Sequence, residues 1–272
     1  MTKSTPAQAR CSRTVRGVHV VIDGNSAAPP VLLIHGSGAV GSTWAAVAPM
    51  LSREHRVITI DLPGCGRSES AATYAVAQQA DRIAAVLDEL GVRNVDVVGH
   101  SSGGYVGTAL VERRPDLVGK LILVSTGPSL AALRPEPAII RVLVSPPIGP
   151  LIWSIRSDSM IRRGLAATAA ARITVPDEVV ADLRRTSYRA FRAILAANAD
   201  YISTRSVPQR LIDAGKPVFV IFGDSDPRWD PASAHQYAAV PGAKLEYLSG
   251  VGHIAMLEDC DALALSLARA LE

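Results

Sequence analysis

The sequence has little that is cationic in blocks, little cysteine, few aromatic residues and no long uninterrupted apolar run. No Lys/Arg-rich segment accompanies the formal charge of +3, so nucleic acid is not an expected partner. The three cysteines, Cys11, Cys65 and Cys260, are widely separated and show neither CxxC nor metal-ligand spacing, so they are taken as reduced and structural. The basic stretch MTKSTPAQARCSRTVRG is followed by no apolar segment, which gives no secretory signal and an expected cytoplasmic location. The longest apolar stretch, AIIRVLVSPPIGPLIWSI at 138–155, is interrupted by Arg141, Pro146, Pro147 and Pro150 and is no membrane span. There is no H-E-x-x-H and no acidic calcium loop, so no metal is expected. Aromatic residues are 4% of the chain, which disfavours an aromatic-lined pocket, although Trp153, Tyr188, Phe191 and Tyr201 fall in one region.

What is present is a globular composition, 48% hydrophobic and 19% charged, over 272 residues, enough for one large domain or a domain with an insertion. Short apolar runs at VLLIHG (31), RVITIDLPG (56), VDVVGHS (95), KLILVS (120), PVFVIFGD (217) and KLEYLSG (244) alternate with alanine-rich amphipathic segments. Strands apolar on both faces, separated by helices, predict a mostly parallel sheet covered by helices. GVHVVIDG at 17 alternates more and is expected at an edge. Helices are expected near 42–52, 75–90, 102–114, 231–239 and 255–271. About ninety residues between KLILVS and PVFVIFGD contain no convincing strand, far more than a connecting loop needs. Helical patterns near 130–144, 151–170 and 176–198, with Pro176 in a first turn, make this an inserted helical layer. The expected organisation is therefore a core of residues 1–126 and 213–272 with a helical cap at 127–212.

The chemistry is expected at GHSSGG, residues 99–104, which follows a strand. A G-x-S-x-G pattern at a strand-to-helix turn raises its central serine on a tight bend, and the glycines make room for the neighbouring strand and helix. Ser101 is then the raised hydroxyl. Ser102 opens the helix, with its N–H at the positive helix end. A Gly/Ser-rich turn without chemistry has the same local pattern, and a phosphate loop is disfavoured because neither G-x-G-x-x-G nor GK[ST] is present. The company of the motif decides between them. A serine hydroxyl needs a base oriented by a carboxylate, and FGDSDPRWD and GVGHIAMLED each follow a strand and offer candidates in the order Ser, acid, His.

Four segments in order, LLIHGSG with Trp44 shortly after, DLPGCGRS, VGHSSGG, and the pair GDSD and GHIAMLED, resemble the α/β-hydrolase superfamily over the whole length except about the first fifteen residues and the helical insertion. The resemblance implies an α/β-hydrolase fold with Ser101 as nucleophile, His253 as general base and acid, and Asp226 as the carboxylate behind it. Asp226 is preferred because the family places the acid three residues after the glycine, here Gly223; Asp224 and Asp230 remain alternatives. The strand KLILVS is followed by STGP, which offers no carboxylate for the other placement found in the family. The HGSG loop would supply an oxyanion donor, the Ser37 N–H, opposite the Ser102 N–H. His35 and His100 are expected to brace loops, and His19, His55 and His235 to be solvated.

A serine at position 101 also separates the chain from members resembling haloalkane dehalogenases and epoxide hydrolases, which use aspartate there. It implies acyl chemistry without a cofactor: a carboxylic ester or lactone with an apolar acyl or ring part. Carbon–carbon hydrolases, lyases, cyclases or acyltransferases with the same triad, and receptor-like members that bind a ligand, remain the alternatives. The aliphatic insertion would set the substrate or simply pack its own helices; Arg134, Arg141 and Arg156 would bind a carboxylate or be solvated. The expected partner is a small molecule, with the chain a monomer or homodimer.

Overall fold

The apolar runs become a single eight-stranded sheet in the order β1-β2-β4-β3-β5-β6-β7-β8. The structure, a computed structural model, describes residues 10–135 and 138–272. The strands are β1 Cys11–Val15, β2 Val18–Asp23, β3 Pro30–Ile34, β4 Arg56–Ile60, β5 Val95–His100, β6 Val118–Val124, β7 Val218–Gly223 and β8 Lys244–Leu248. Strands β4, β3, β5, β6, β7 and β8 pair in parallel, whereas β1 and β2 are antiparallel to their neighbours. The central strands are buried on both faces, Val31–Ile34 and Leu121–Val124 throughout, which is why they read as continuous apolar runs.

β2 is not the edge expected for it. β1 pairs outside it, from Cys11 with Ile22 to Val15 with Val18, through a two-residue turn at Arg16 and Gly17, both with positive φ. Four of the five β1 residues are exposed, so the strand has no apolar alternation to reveal it.

The helices, in chain order, are α1 Ala48–Leu51, α2 Val76–Glu89, α3 Ser102–Arg113, α4 Ala138–Leu143, α5 Ile148–Ile155, α6 Asp158–Ala166, α7 Asp177–Arg185, α8 Tyr188–Thr204, α9 Val207–Ala214, α10 Ala255–Glu258 and α11 Cys260–Leu271. α2 buries Val76, Ala80, Ile83, Ala84 and Leu87 along one stripe, the spacing of a helix packed on one face. The segment 42–52 is split into a 3₁₀ turn at Gly41–Trp44 and α1, and 231–239 is a 3₁₀ helix.

Between β6 and β7 lie α4 to α9, and the breaks within this insertion are made by serines. Ser157 accepts from the Met160 N–H and starts α6, and Ser187 accepts from the Ala190 N–H and starts α8. Each cap ends the continuous helix expected there. α7 begins at Asp177, with Pro176 just before it. α9 was not among the expected helices, yet Ser206 and Gln209 form its capping box, Pro208 lies in its first turn, and Gly215 closes it in the left-handed region. Arg141 is one of the residues whose side chain lies outside the described ones.

β3 pairs with β4 on one side and β5 on the other, so the chain reverses direction across the sheet at this point. The crevice beyond the carboxyl ends of strands at such a reversal is where open α/β sheets bind ligands. The loops after β3 and β5 both open into it, and they carry Ser37 and Ser101.

Candidate active site

β5 ends in a bend that puts Ser101 at φ 51 and ψ −122, a left-handed conformation that a non-glycine residue adopts only where its surroundings enforce it. Here they do. A Cβ on Gly99 would come within 2.6 Å of the Gly103 carbonyl oxygen and the Gly104 backbone, and one on Gly103 within 2.5 Å of the Ile34 carbonyl oxygen. The two glycines therefore let β5, α3 and the end of β3 close on one another, and the Ser101 N–H is held by the Val124 carbonyl at 2.8 Å.

The structure brings three of the expected side chains into one line. His253 Nδ1 donates to Asp226 Oδ2 at 2.8 Å, and the Ser101 hydroxyl donates to His253 Nε2 at 3.0 Å. The other oxygen of Asp226 accepts the N–H groups of Arg228, at 2.7 Å, and Trp229, at 3.0 Å. Asp226 is fully buried, with Ser101 and His253 nearly so. A carboxylate that accepts from Nδ1 in this way fixes the imidazole tautomer that leaves Nε2 free to accept. The two alternative acids are elsewhere. Asp224 is exposed and accepts from Ser225 Oγ and the Gly250 N–H, which hold its carboxyl below the ordinary range. Asp230 is exposed and caps the 3₁₀ helix at the Ala232 N–H.

The histidine loop is held through hydrogen bonds to its own backbone. The His253 N–H donates to the Thr168 carbonyl of the insertion, and the His253 carbonyl accepts from His100 Nε2 at 2.8 Å. Glu258 accepts three N–H groups, from Gly252 and Ile254 on either side of His253 and from Ala170 of the insertion. Glu258 escaped the sequence reading although it stands five residues after His253 in GHIAMLED. Burial, with the neighbouring His253 second, pushes the His100 pKa down to about 3, so this ring is a neutral brace. His35 braces as well, donating from Nδ1 to the Gly36 carbonyl and accepting the Leu62 N–H at Nε2. His19, expected to be solvated, is instead largely buried and bonded to Ser12 and Asp61, because β1 and the loop after β4 enclose it. Burial and the Asp61 charge push the Cys65 thiol up to about 12, so it is no nucleophile.

Ser37 and Ser102 also meet, but not as two bare amides. The Ser37 N–H donates to Ser102 Oγ at 2.8 Å, the two hydroxyl oxygens are 2.8 Å apart, and Asn198 Nδ2 on α8 donates to Ser37 Oγ at 2.7 Å. Asn198 had no signal in the sequence, because 161 residues separate it from Ser37. The same helix places Phe191 over the loop: a Cβ on Gly38 would lie 3.6 Å from its ring. Phe191 stacks on Trp153 at 4.7 Å, Tyr188 stands edge-on to Trp153, and Arg156 lies over the Trp153 ring. Three of the four aromatics expected in this region thus pack together, with Phe191 reaching the loop at Gly38. Arg156 also donates to the Trp153 and Thr186 carbonyls, a packing role that accounts for its donors. Among the described residues no cluster of His, Cys, Asp or Glu could hold a metal ion.

A model of the alpha/beta hydrolase family matches residues 31–265. The chain is 31% identical over 264 residues to an uncharacterised protein of Mycobacterium tuberculosis, covering 91% of this chain and 76% of that protein. It is 28% identical over 253 residues, 88% of this chain and 86% of the other, to a 2-hydroxy-6-oxononadienedioate/2-hydroxy-6-oxononatrienedioate hydrolase of Cupriavidus pinatubonensis. Its fold is similar to that of the 2-hydroxy-6-oxo-6-phenylhexa-2,4-dienoate hydrolase of Rhodococcus sp. strain RHA1, with a TM-score of 0.77 at 24% identity over 97% of this chain and 99% of that one. With its sheet reversing between β3 and β5, its serine on the bend after β5, and a family match that runs from β3 into α11, the chain belongs to the alpha/beta hydrolase family.

Proposed function

We propose that the protein is a cofactor-independent serine hydrolase that cleaves a carboxylic ester or lactone with an apolar acyl or ring part. The observation that carries this is the hydrogen-bonded line from Asp226 through His253 to Ser101, ending on a strained bend at a helix N-terminus. His253 takes the Ser101 proton as the oxygen attacks the carbonyl, and Asp226 stabilises the imidazolium that forms. The oxyanion faces the Ser102 N–H, one of the first N–H groups of α3 and so without a partner inside the helix, and the Ser37 N–H once the Ser102 hydroxyl turns aside. His253 then protonates the leaving alcohol, and water repeats the cycle on the acyl-enzyme. Residues 127–212 act as the cap: α8 lies over the oxyanion loop through Phe191 and Asn198, and the aromatic group around Trp153 faces the acyl part of the substrate. Among the described residues no helix is long and apolar enough to cross a membrane.

A second reading, hydrolysis of a carbon–carbon bond, draws on the relative from Cupriavidus pinatubonensis, a hydrolase of 2-hydroxy-6-oxononadienedioate that is similar over most of both chains. Intact-mass labelling with a fluorophosphonate, followed by turnover of a p-nitrophenyl ester series, separates these. Rapid single labelling with ester turnover supports the esterase reading; labelling without ester turnover moves the assignment to carbon–carbon cleavage. No labelling of folded protein overturns the serine mechanism.

A further inference from the structure

The hairpin of α4 and α5 turns its apolar side outward. On α4, Ile139, Val142 and Leu143 lie at i, i+3 and i+4, and on α5, Ile148, Leu151 and Ile155 lie at i, i+3 and i+7, so each helix carries one aliphatic stripe. Such a stripe ordinarily faces a core. Here all six residues are exposed, Ile139, Leu151 and Ile155 by 62%, 63% and 67%. Met160 on α6 is exposed as well. The inner side of the hairpin is occupied: Tyr188 on α8 donates to the Val144 carbonyl at 2.9 Å, Trp153 Nε1 donates to the Thr186 carbonyl at 2.9 Å, and the Trp153 ring stacks on Phe191. The hairpin is thus fixed to the insertion by one side and leaves the other to solvent. Single exposed aliphatic residues are ordinary, but six on one hairpin mark an interaction surface.

Charge identifies what covers this surface. Residues 127–212 hold twelve arginines, no lysine and six carboxylates, a net charge of +6, whereas the rest of the chain is −3. Residues 138–155 contain no carboxylate. Of the carboxylates elsewhere in the insertion, Asp158 pairs with Arg184, Asp177 with Arg162, and Glu178 and Asp182 with Arg67 of the core. Arg134, just before α4, and Arg189, beside Tyr188 on α8, are exposed and make no ion pair among the described residues. A second copy seated symmetrically on this face would bring two net-positive insertions together, which repels. Residues 1–9, MTKSTPAQA, have no branched aliphatic or aromatic side chain to fill the stripes. An anionic bilayer answers both features, because its acyl boundary takes the aliphatic stripes and its headgroups pair with the arginines. We propose that the α4–α5 hairpin is an interfacial docking element that seats the protein on an anionic lipid surface. Helices of six and eight residues lie in such an interface and are far short of the roughly 20 residues that cross it. Docking of this kind is independent of the serine mechanism.

Co-sedimentation of the full chain with vesicles tests this, comparing phosphatidylcholine alone with phosphatidylcholine containing about one-third phosphatidylglycerol. Wild type should bind the anionic vesicles about tenfold more tightly or better, and should lose most of that preference in high salt, which screens the arginines. Leu151→Ser/Ile155→Ser changes two exposed positions, so its thermal midpoint should match that of wild type while its binding weakens by about tenfold or more. Arg134→Gln and Arg189→Gln should each weaken binding to the anionic vesicles by about fivefold and leave the neutral ones unaffected. Equal binding of wild type to both kinds of vesicle overturns the anionic assignment. Undiminished binding by folded Leu151→Ser/Ile155→Ser overturns the hairpin as the docking element. No binding to either kind overturns the proposal outright, and light scattering that then shows a dimer split by Leu151→Ser/Ile155→Ser gives this face to a second copy instead.

Discussion

Two serine–histidine–aspartate chains are found among the described residues, and the proposed mechanism uses only one of them. In the first, Ser101, His253 and Asp226 are linked at 3.0 and 2.8 Å. In the second, Ser12 Oγ lies 2.9 Å from His19 Nε2, and His19 Nδ1 lies 3.1 Å from Asp61 Oδ2. Their surroundings separate them. Ser101 stands at positive φ just before a buried helix, whereas Ser12 lies in the exposed edge strand β1, paired opposite Val21. Asp226 spends its second oxygen on its own turn, while Asp61 also accepts the N–H groups of Gly41 and Arg67 and so ties β2 and the turn after β3 to its own loop. The second chain even borders a cavity of about 210 Å³, lined by Ser12, His19 and Asp61 among others. The order of three side chains and an adjoining cavity are therefore not enough; the strained bend and the helix N-terminus behind Ser101 are what a nucleophile requires.

The sharpest way to break this comparison is at the serines. Ser101→Ala should abolish fluorophosphonate labelling and lower kcat by about 10⁴-fold or more, as removal of a triad nucleophile does. Labelling that persists in Ser101→Ala and disappears in Ser12→Ala would reverse the assignment of the two chains. The acids give the next largest difference. Asp226→Asn should cost about 10⁴-fold in kcat with little loss of fold, because the amide favours the wrong imidazole tautomer. Asp224→Asn, at an exposed turn, should leave kcat within about threefold, and an equal loss in both variants would contradict Asp226 as the partner of His253.

Asp61→Asn should act on stability instead of rate. Every partner of Asp61 is a donor, so an amide must turn its own N–H₂ toward one of them, at a cost of about 2–3 kcal/mol. Burial pushes the Asp61 pKa up, but the His19 hydrogen bond, the His35 ring and the Arg67 and Gly41 N–H groups outweigh it, leaving the folded value below the ordinary 3.8. The stabilisation from the ionised form is therefore complete above pH 3.8 and is lost as pH falls through the lower folded value. Urea titrations between pH 6 and 2.5 should show the gap between wild type and Asp61→Asn narrowing below about pH 4. A gap independent of pH would mean that the carboxylate charge contributes nothing there.

Much of the first chain was legible because its signals are local. Gly99, Gly103 and Ser101 sit within one turn, and Asp226 and His253 each follow an apolar run that is plainly a strand. The second chain was not, since β1 exposes four of its five residues and His19 looks solvated until β1 covers it. The breaks at Ser157 and Ser187 and the capping box of α9 were written in the sequence as cap residues, but the helical periodicity around them was given more weight. Contacts across long stretches had no local signature at all: the grip of Asn198 on Ser37 and that of Glu258 on Ala170 exist only once the insertion is folded over the sheet.

Glu258 offers a smaller test of that long-range part. Glu258→Gln keeps the shape but weakens three charge-assisted bonds to the backbone around His253 and to Ala170, and an amide can accept with one end only. A fall of about tenfold in kcat with KM little changed is expected, equivalent to about 1.4 kcal/mol. An unchanged kcat would show that the His100 and Thr168 contacts suffice to hold the base.

The smallest effect belongs to Ser12. Its hydroxyl is exposed and its single bond to His19 competes with water, so Ser12→Ala should change stability by no more than about 0.5 kcal/mol and leave labelling and turnover as they were. The value of so small an effect lies in its contrast with Asp61, one histidine away. If His19 served Ser12 as His253 serves Ser101, serine and aspartate variants would fail together, as members of a catalytic unit do. If His19 instead joins β2 to the loops around Asp61, the aspartate carries the stability and the serine carries almost none. Chemical denaturation of the two single variants and the double variant decides this, because a coupling near zero between positions 12 and 61 marks a scaffold, and a coupling comparable to the Asp61 effect marks a unit.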